Sequence, residues 1–391
     1  MNLHNIINNK AIFSACLLAA AGALVFNTFP QVLSAIAVQF SMGEAEVGSL
    51  ISAYMGGFAL LSLFAPVWMP RLPWKITAIV GYLLLGGGVI LLNQVSKNDV
   101  TSVMFFMGLG SSILFTISLG VLSAAKDPDR GFGLKLTAEM LLGAIFIFIV
   151  ANLIAGQFGY SGFVYGLLTL YIITGLGIFW LPINFLKMEV KESDSNPEFN
   201  GINYAALFAT VALFFFAGAY TGVWGFISFI GAEHGISEDA INSVLTLALL
   251  AGICGALLCA WMGDRFGQLI PLLAGMFIMV TAIVLLIYSK SLFIFVLAVC
   301  LINAFLQFVL AFQMGLVAQV DHSGRYVVML AFVLSLSAAL SGELMGAFIE
   351  SVGINTAMLG SVGAIIIAMS ITVFILKRDT AQINTLLMIE K

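Results

Sequence analysis

The chain has 391 residues, 61% of them hydrophobic and only 9% charged, with a net charge of −4 and a mean hydropathy of +1.11. A soluble domain carries roughly 25% charged residues, and disorder needs low hydrophobicity with high charge, so both classes are excluded. Apolar runs of twenty or more argue against the alternating segments of a membrane barrel, and no basic block points to nucleic acid.

What remains is an all-α polytopic membrane protein. Apolar segments fall at 11–39, 46–68, 76–94, 101–125, 131–156, 162–186, 203–231, 240–262, 269–288, 291–319, 326–350 and 355–376. Each is long enough to cross about 30 Å of hydrocarbon at about 1.5 Å per residue, so twelve transmembrane helices are predicted. The first segment is far longer than the apolar region of a signal peptide and reads as a retained helix. Polar turns separate the segments at Ser41–Glu44, Pro70–Pro73, Lys126–Arg130, Gly263–Gly267 and Asp321–Arg325. The four cysteines, Cys16, Cys254, Cys259 and Cys300, all sit inside apolar runs and read as packing residues.

One break differs from the others. Residues 187–198 hold six of the 34 charged residues and separate six segments from six. The expected organisation is a first bundle at 1–186, a cytoplasmic linker at 187–202, a second bundle at 203–376 and a tail at 377–391. With the N-terminus inside, the cytosolic parts hold twelve Lys and Arg residues and the outer loops hold two, Lys97 and Lys290. That asymmetry places both termini in the cytoplasm of a multi-pass protein of the cytoplasmic membrane. A shift of 194 or 195 residues brings Glu44 onto Glu238, Arg71 onto Arg265 and Arg130 onto Arg325, each at an equivalent loop. Two pseudo-symmetric six-helix bundles are therefore predicted.

The loop after the eighth segment reads Gly263-Asp264-Arg265-Phe266-Gly267-Gln268, and its first-half counterpart keeps Arg71 and Lys75 with Pro70 in the acidic position. In this 6 + 6 setting the chain resembles the major facilitator superfamily, closest in look to its compact sugar- and drug-efflux permeases. The fifth segment reads Gly143-Ala144-Ile145 and lacks the Gly-Pro pair common in the family's proton antiporters. The resemblance implies a secondary transporter working by alternating access. It implies a cavity lined by helices 1, 4, 7 and 10, and a cytosolic gate built from Asp264, Arg265, Arg71, Arg130 and Arg325. In that gate Asp264 would approach the start of the fifth helix near Gly131–Gly133.

Three charged residues lie well inside apolar segments: Lys135, Glu139 and Glu343. An ionisable group in hydrocarbon is costly, which makes each a candidate for proton coupling. Lys135 and Glu139 are four apart on one helix face, and Lys135 is near enough to Arg130 to snorkel to the interface. Glu139 lies about 13–14 Å in and cannot. The pair reads either as a proton-coupling site or as a structural ion pair. Glu343 lies among small residues and reads as a helix–helix hydrogen bond or as a second coupling group. Three i,i+4 pairs are the candidate substrate contacts: Asn27 with Gln31, Tyr220 with Trp224, and Asn303 with Gln307. Ser111, Ser112, Thr116 and Ser118 give the fourth segment a milder polar face.

The three histidines are far apart in sequence, no H-E-x-x-H occurs, and no phosphate-binding G-x-x-x-x-G-K-[ST] is present. No enzyme and no cofactor is expected. The expected partners are a small organic solute, protons and the lipid bilayer, with the chain as a monomer. A uniporter, an importer of a small monoanion paired with Lys135, and a non-transporting sensor or scaffold remain open. Cysteines placed at Ser193 and Ser195 should resist a membrane-impermeant thiol reagent in intact cells; labelling from outside would invert the topology.

Overall fold

The computed structural model describes residues 9–123, 128–182, 203–262, 267–288, 290–321, 326 and 329–389. Hydrocarbon offers no partner to a backbone N–H or C=O, so a chain this apolar must satisfy its backbone within helices. Accordingly, the described residues are helical apart from short turns. The helices are α1 (Asn9–Asn27), α2 (Phe29–Phe40), α3 (Glu44–Leu63), α4 (Ala65–Trp68), α5 (Trp74–Leu92), α6 (Val100–Ser123), α7 (Pro128–Ile145) and α8 (Ala155–Gly175). The second half follows with α9 (Tyr204–Gly225), α10 (Ile227–Glu233), α11 (Glu238–Met262), α12 (Leu269–Tyr288), α13 (Leu292–Val320), α14 (Leu330–Val352) and α15 (Ile354–Ile389). The last helix runs on past residue 377, where the tail was expected to begin.

Eleven stretches are long and apolar enough to cross a membrane. One of them, Leu134–Trp180, has 47 residues and would span about 70 Å as a single helix. It doubles back instead. α7 passes through a π-helical segment, Phe146–Ile154, into α8, and Gly159 turns the chain at φ 63°, ψ −152°. Beyond the turn Gly162 packs on Ile154 and Gly166 on Val150, and the rings of Phe146 and Phe163 stand 5.3 Å apart. The fifth and sixth predicted segments are thus an antiparallel pair within one apolar run.

The first segment of each half is broken. α1 gives way to α2 at Thr28, where φ is −115° and ψ 22°. Pro30 removes a backbone donor and crowds the preceding turn, and Thr28 Oγ1 donates to the Leu24 carbonyl at 2.6 Å. α9 gives way to α10 at Phe226, at φ −105° and ψ 9°.

Successive passes put residues 41–43 on one side and the chain ends on the other, here called the Ser41 side and the terminal side. Near the Ser41 side the two halves are joined chiefly where α3 lies on α14. A methyl group at Gly48 would overlap the Gly342 carbonyl, and one at Gly346 would sit 2.5 Å from the Glu44 carbonyl. Backbones can approach this closely only without side chains between them. Two serines use the proximity: Ser52 Oγ donates to the Ala339 carbonyl at 2.5 Å, and Ser49 Oγ to Glu343 Oε2 at 3.0 Å.

Gly48→Val should wedge this seam apart, at a cost of about 1–3 kcal/mol for overpacking. The purified protein should melt at lower temperature, and a cysteine at Ser49 should label faster. Gly56→Val is the control, because no atom lies within 4 Å of a methyl group there. Equal melting temperatures for the two variants would contradict the role given to the seam.

Candidate functional site

The most unusual chemistry for hydrocarbon lies on α7. Its 3.6-residue repeat stacks Glu139 over Lys135, and Lys135 Nζ stands 2.6 Å from Glu139 Oε1 with each side chain 6% exposed. The ammonium also lies over the Phe115 ring of α6, 4.1 Å from its centroid. Cys16 of α1 is close enough to feel both charges. The pair is therefore enclosed by α1, α6 and α7 inside the first half. This corrects the expectation that Lys135 snorkels to the interface. A carboxylate and an aromatic face together replace the water that the ammonium gives up.

The amide pair Asn27 and Gln31 straddles the break at Thr28 between α1 and α2. Asn27 lies beside Gly143 of α7, and its Nδ2 has no partner. Gln31 points to the other half, where its Nε2 donates to Asn242 Oδ1 of α11 at 2.8 Å. Its own Oε1 is left without a donor. Tyr220 and Trp224 do share a face of α9, with ring centroids 5.9 Å apart and planes 16° from parallel. Both are buried, and Trp224 Nε1 has no acceptor. Asn303 and Gln307 also share a face, but it is turned to Gly252 of α11 in their own half. Asn303 is buried with Oδ1 unpartnered, while Gln307 is half-buried. Two serines of α6 are used internally, Ser111 bonding Tyr54 of α3 and Ser112 bonding Ser62 at 3.0 Å, while Ser118 Oγ is buried without a partner.

Glu343 is exposed at the α3–α14 seam and is not part of the α7 pair. Arg71 is exposed and donates to the Val67 carbonyl at 3.0 Å in its own turn. Arg130 lies in α7, but its side chain is outside the described residues, as are Asp264, Arg265 and Arg325.

Two residues were not singled out from the sequence. Asn242 stands in the first turns of α11 behind Glu238 and Asp239, where an amide looks like ordinary helix-start polarity. Gln313 of α13 is 2% exposed, with both amide atoms unpartnered. It lies neither three nor four residues from Asn303 or Gln307, so no pairing rule flags it. A buried polar atom without a partner costs about 1–3 kcal/mol. Asn27, Gln31, Trp224, Asn303 and Gln313 each carry at least one buried polar atom without a partner.

The family model of the Major Facilitator Superfamily matches residues 12–203 and 209–390. The chain belongs to the major facilitator superfamily. Among solved structures, a point mutant of the nucleoside transporter NupG aligns at a TM-score of 0.70 with 15% identity, covering 95% of this chain and 99% of that one. Unsubstituted NupG aligns at 0.67 with 14% identity, over 95% and 99% of the two chains. A bacterial homologue of the human lysosomal transporter Spinster, in an inward-facing and occupied conformation, aligns at 0.66 with 14% identity, over 94% and 96%. At these identities the likeness is one of fold. No curated protein sequence matches the chain.

Breaking the buried pair should be harsher than replacing it. Lys135→Met strands the Glu139 carboxylate and should cost about 3–5 kcal/mol. Lys135→Met with Glu139→Leu should recover most of that loss in thermal unfolding of the purified protein. A single variant as stable as the parent would mean that the pair is not closed off from water.

Proposed function

We propose that this superfamily member is a secondary active transporter. It moves a small organic solute across the cytoplasmic membrane by alternating access, coupled to protons through Glu139 with Lys135 as its partner. The observation that carries the reading is the α7 ion pair. In a low-dielectric site a carboxylate is disfavoured in its charged form, and an adjacent cation restores it. A change in the distance or hydration of the pair between two conformations would give proton binding a different free energy in each. That difference is what coupling requires. Contacts between the halves run from the Ser41 side to mid-membrane, through Gly48 and Gly342, Gln31 and Asn242, and Gly143 and Leu249. A seam of small residues suits two bodies that rock apart. The positive charges concentrated in the terminal-side loops support a cytoplasmic placement of both termini.

The unpaired amides favour a cargo with neutral donors and acceptors, and the stacked Tyr220–Trp224 pair favours one with a flat face. Nucleosides, the cargo named for two of the fold neighbours, combine both features and belong first in a ligand screen. A ligand found by its stabilisation of the purified protein can then be tested in proteoliposomes with a trapped pH dye. Glu139→Gln should keep the ligand-induced rise in melting temperature and lose ligand-driven proton movement. Proton flux that persists in Glu139→Gln would reduce Glu139 to a structural partner of Lys135.

A further inference from the structure

On the Ser41 side a cleft of about 470 Å³ opens between the halves, within the size range of small-molecule sites. One wall comes from the first half, with Gln31, Asn152 and Tyr160; the other comes from the second, with Glu238, Asp239 and Asn242. No Lys, Arg or His lines it. The ion pairs among the described residues are Lys97–Glu46 and Lys135–Glu139, so neither cleft carboxylate has a cationic partner. Acidic residues in the first turn of a helix are commonly no more than dipole partners, and that accounts for Glu238 and Asp239 by themselves. It does not account for Gln31. This residue lines the cleft, its side chain is 4% exposed, its amide nitrogen is committed to Asn242 Oδ1, and its Oε1 has no donor.

We propose that this cleft is a second ligand site, distinct from the buried pair on α7, for a small organic cation bearing amino groups. The ammonium hydrogens would bond Gln31 Oε1 and the carboxylates of Glu238 and Asp239. Charge-assisted bonds of this type are about twice as strong as neutral ones. An anion finds no donor of matching charge in the cleft. Because the walls belong to different halves, a bound cation holds them together on the Ser41 side. It therefore favours the conformation described here over one that opens this face.

The test uses the purified full chain and 1,4-diaminobutane as the probe, with neutral 1,4-butanediol and anionic succinate as matched controls. The diamine should raise the melting temperature in a saturable way, and neither control should do so. Glu238→Gln with Asp239→Asn should weaken the diamine by about tenfold or more, equivalent to about 1.4 kcal/mol. Gln31→Leu should weaken it through the lost acceptor. If Gln31→Leu does not yield folded protein, the exposed carboxylate variants decide alone. No saturable shift, or an equal shift in the parent and the double variant, overturns the proposal. Either result leaves the proton role of Glu139 untouched, because that role is read from proton flux.

Discussion

Lys135 and Glu139 face each other at 2.6 Å where neither reaches water, and much of the first half is arranged around that fact. Two opposite charges in a medium of low dielectric attract strongly, but each has also lost its hydration, so the pair persists only while its enclosure does. Phe115 covers the ammonium, and α1 closes the remaining flank near Cys16. Movement of α1 or α6 relative to α7 would therefore change the electrostatics of the pair. Such sensitivity to small displacement is the physical property a coupling site needs.

The second constraint is what holds the halves together. Gly48, Gly342 and Gly346 let α3 and α14 touch backbone to backbone, and Ser49 and Ser52 supply hydrogen bonds across the seam. Within lipid, such contacts gain packing and hydrogen bonds but no hydrophobic driving force, since lipid tails are as apolar as the helices. A small-residue seam can separate and re-form without leaving a large apolar surface unmatched. The Gln31–Asn242 bond lies between the same two halves, and α2 and α10 follow breaks at Thr28 and Phe226.

The architecture was largely legible because hydrocarbon leaves a chain few options, and long apolar runs report their own helices. Local interruptions were less so. The break between Asn27 and Gln31 was not legible, because Pro30 is compatible with an early helical turn as well as with a break. The doubling back at Gly159 was visible as a polar gap but not as a glycine turn inside one apolar run. The α7 pair was found from spacing alone, yet its burial was not, because Lys135 had a plausible path to the interface that Phe115 and Glu139 outcompete. Asn242 escaped notice because its partner, Gln31, is 211 residues away and nothing in the chain between them announces the contact.

A direct test of coupling needs no knowledge of the cargo. Spin labels at Ser96 and Ser351, both on the Ser41 side and in opposite halves, report the separation of the halves there. Coupling through Glu139 predicts that the distance distribution of the parent protein shifts between acidic and alkaline buffer. It also predicts that Glu139→Gln holds one distribution across the same range. A pH-dependent shift in Glu139→Gln equal to that of the parent would contradict it.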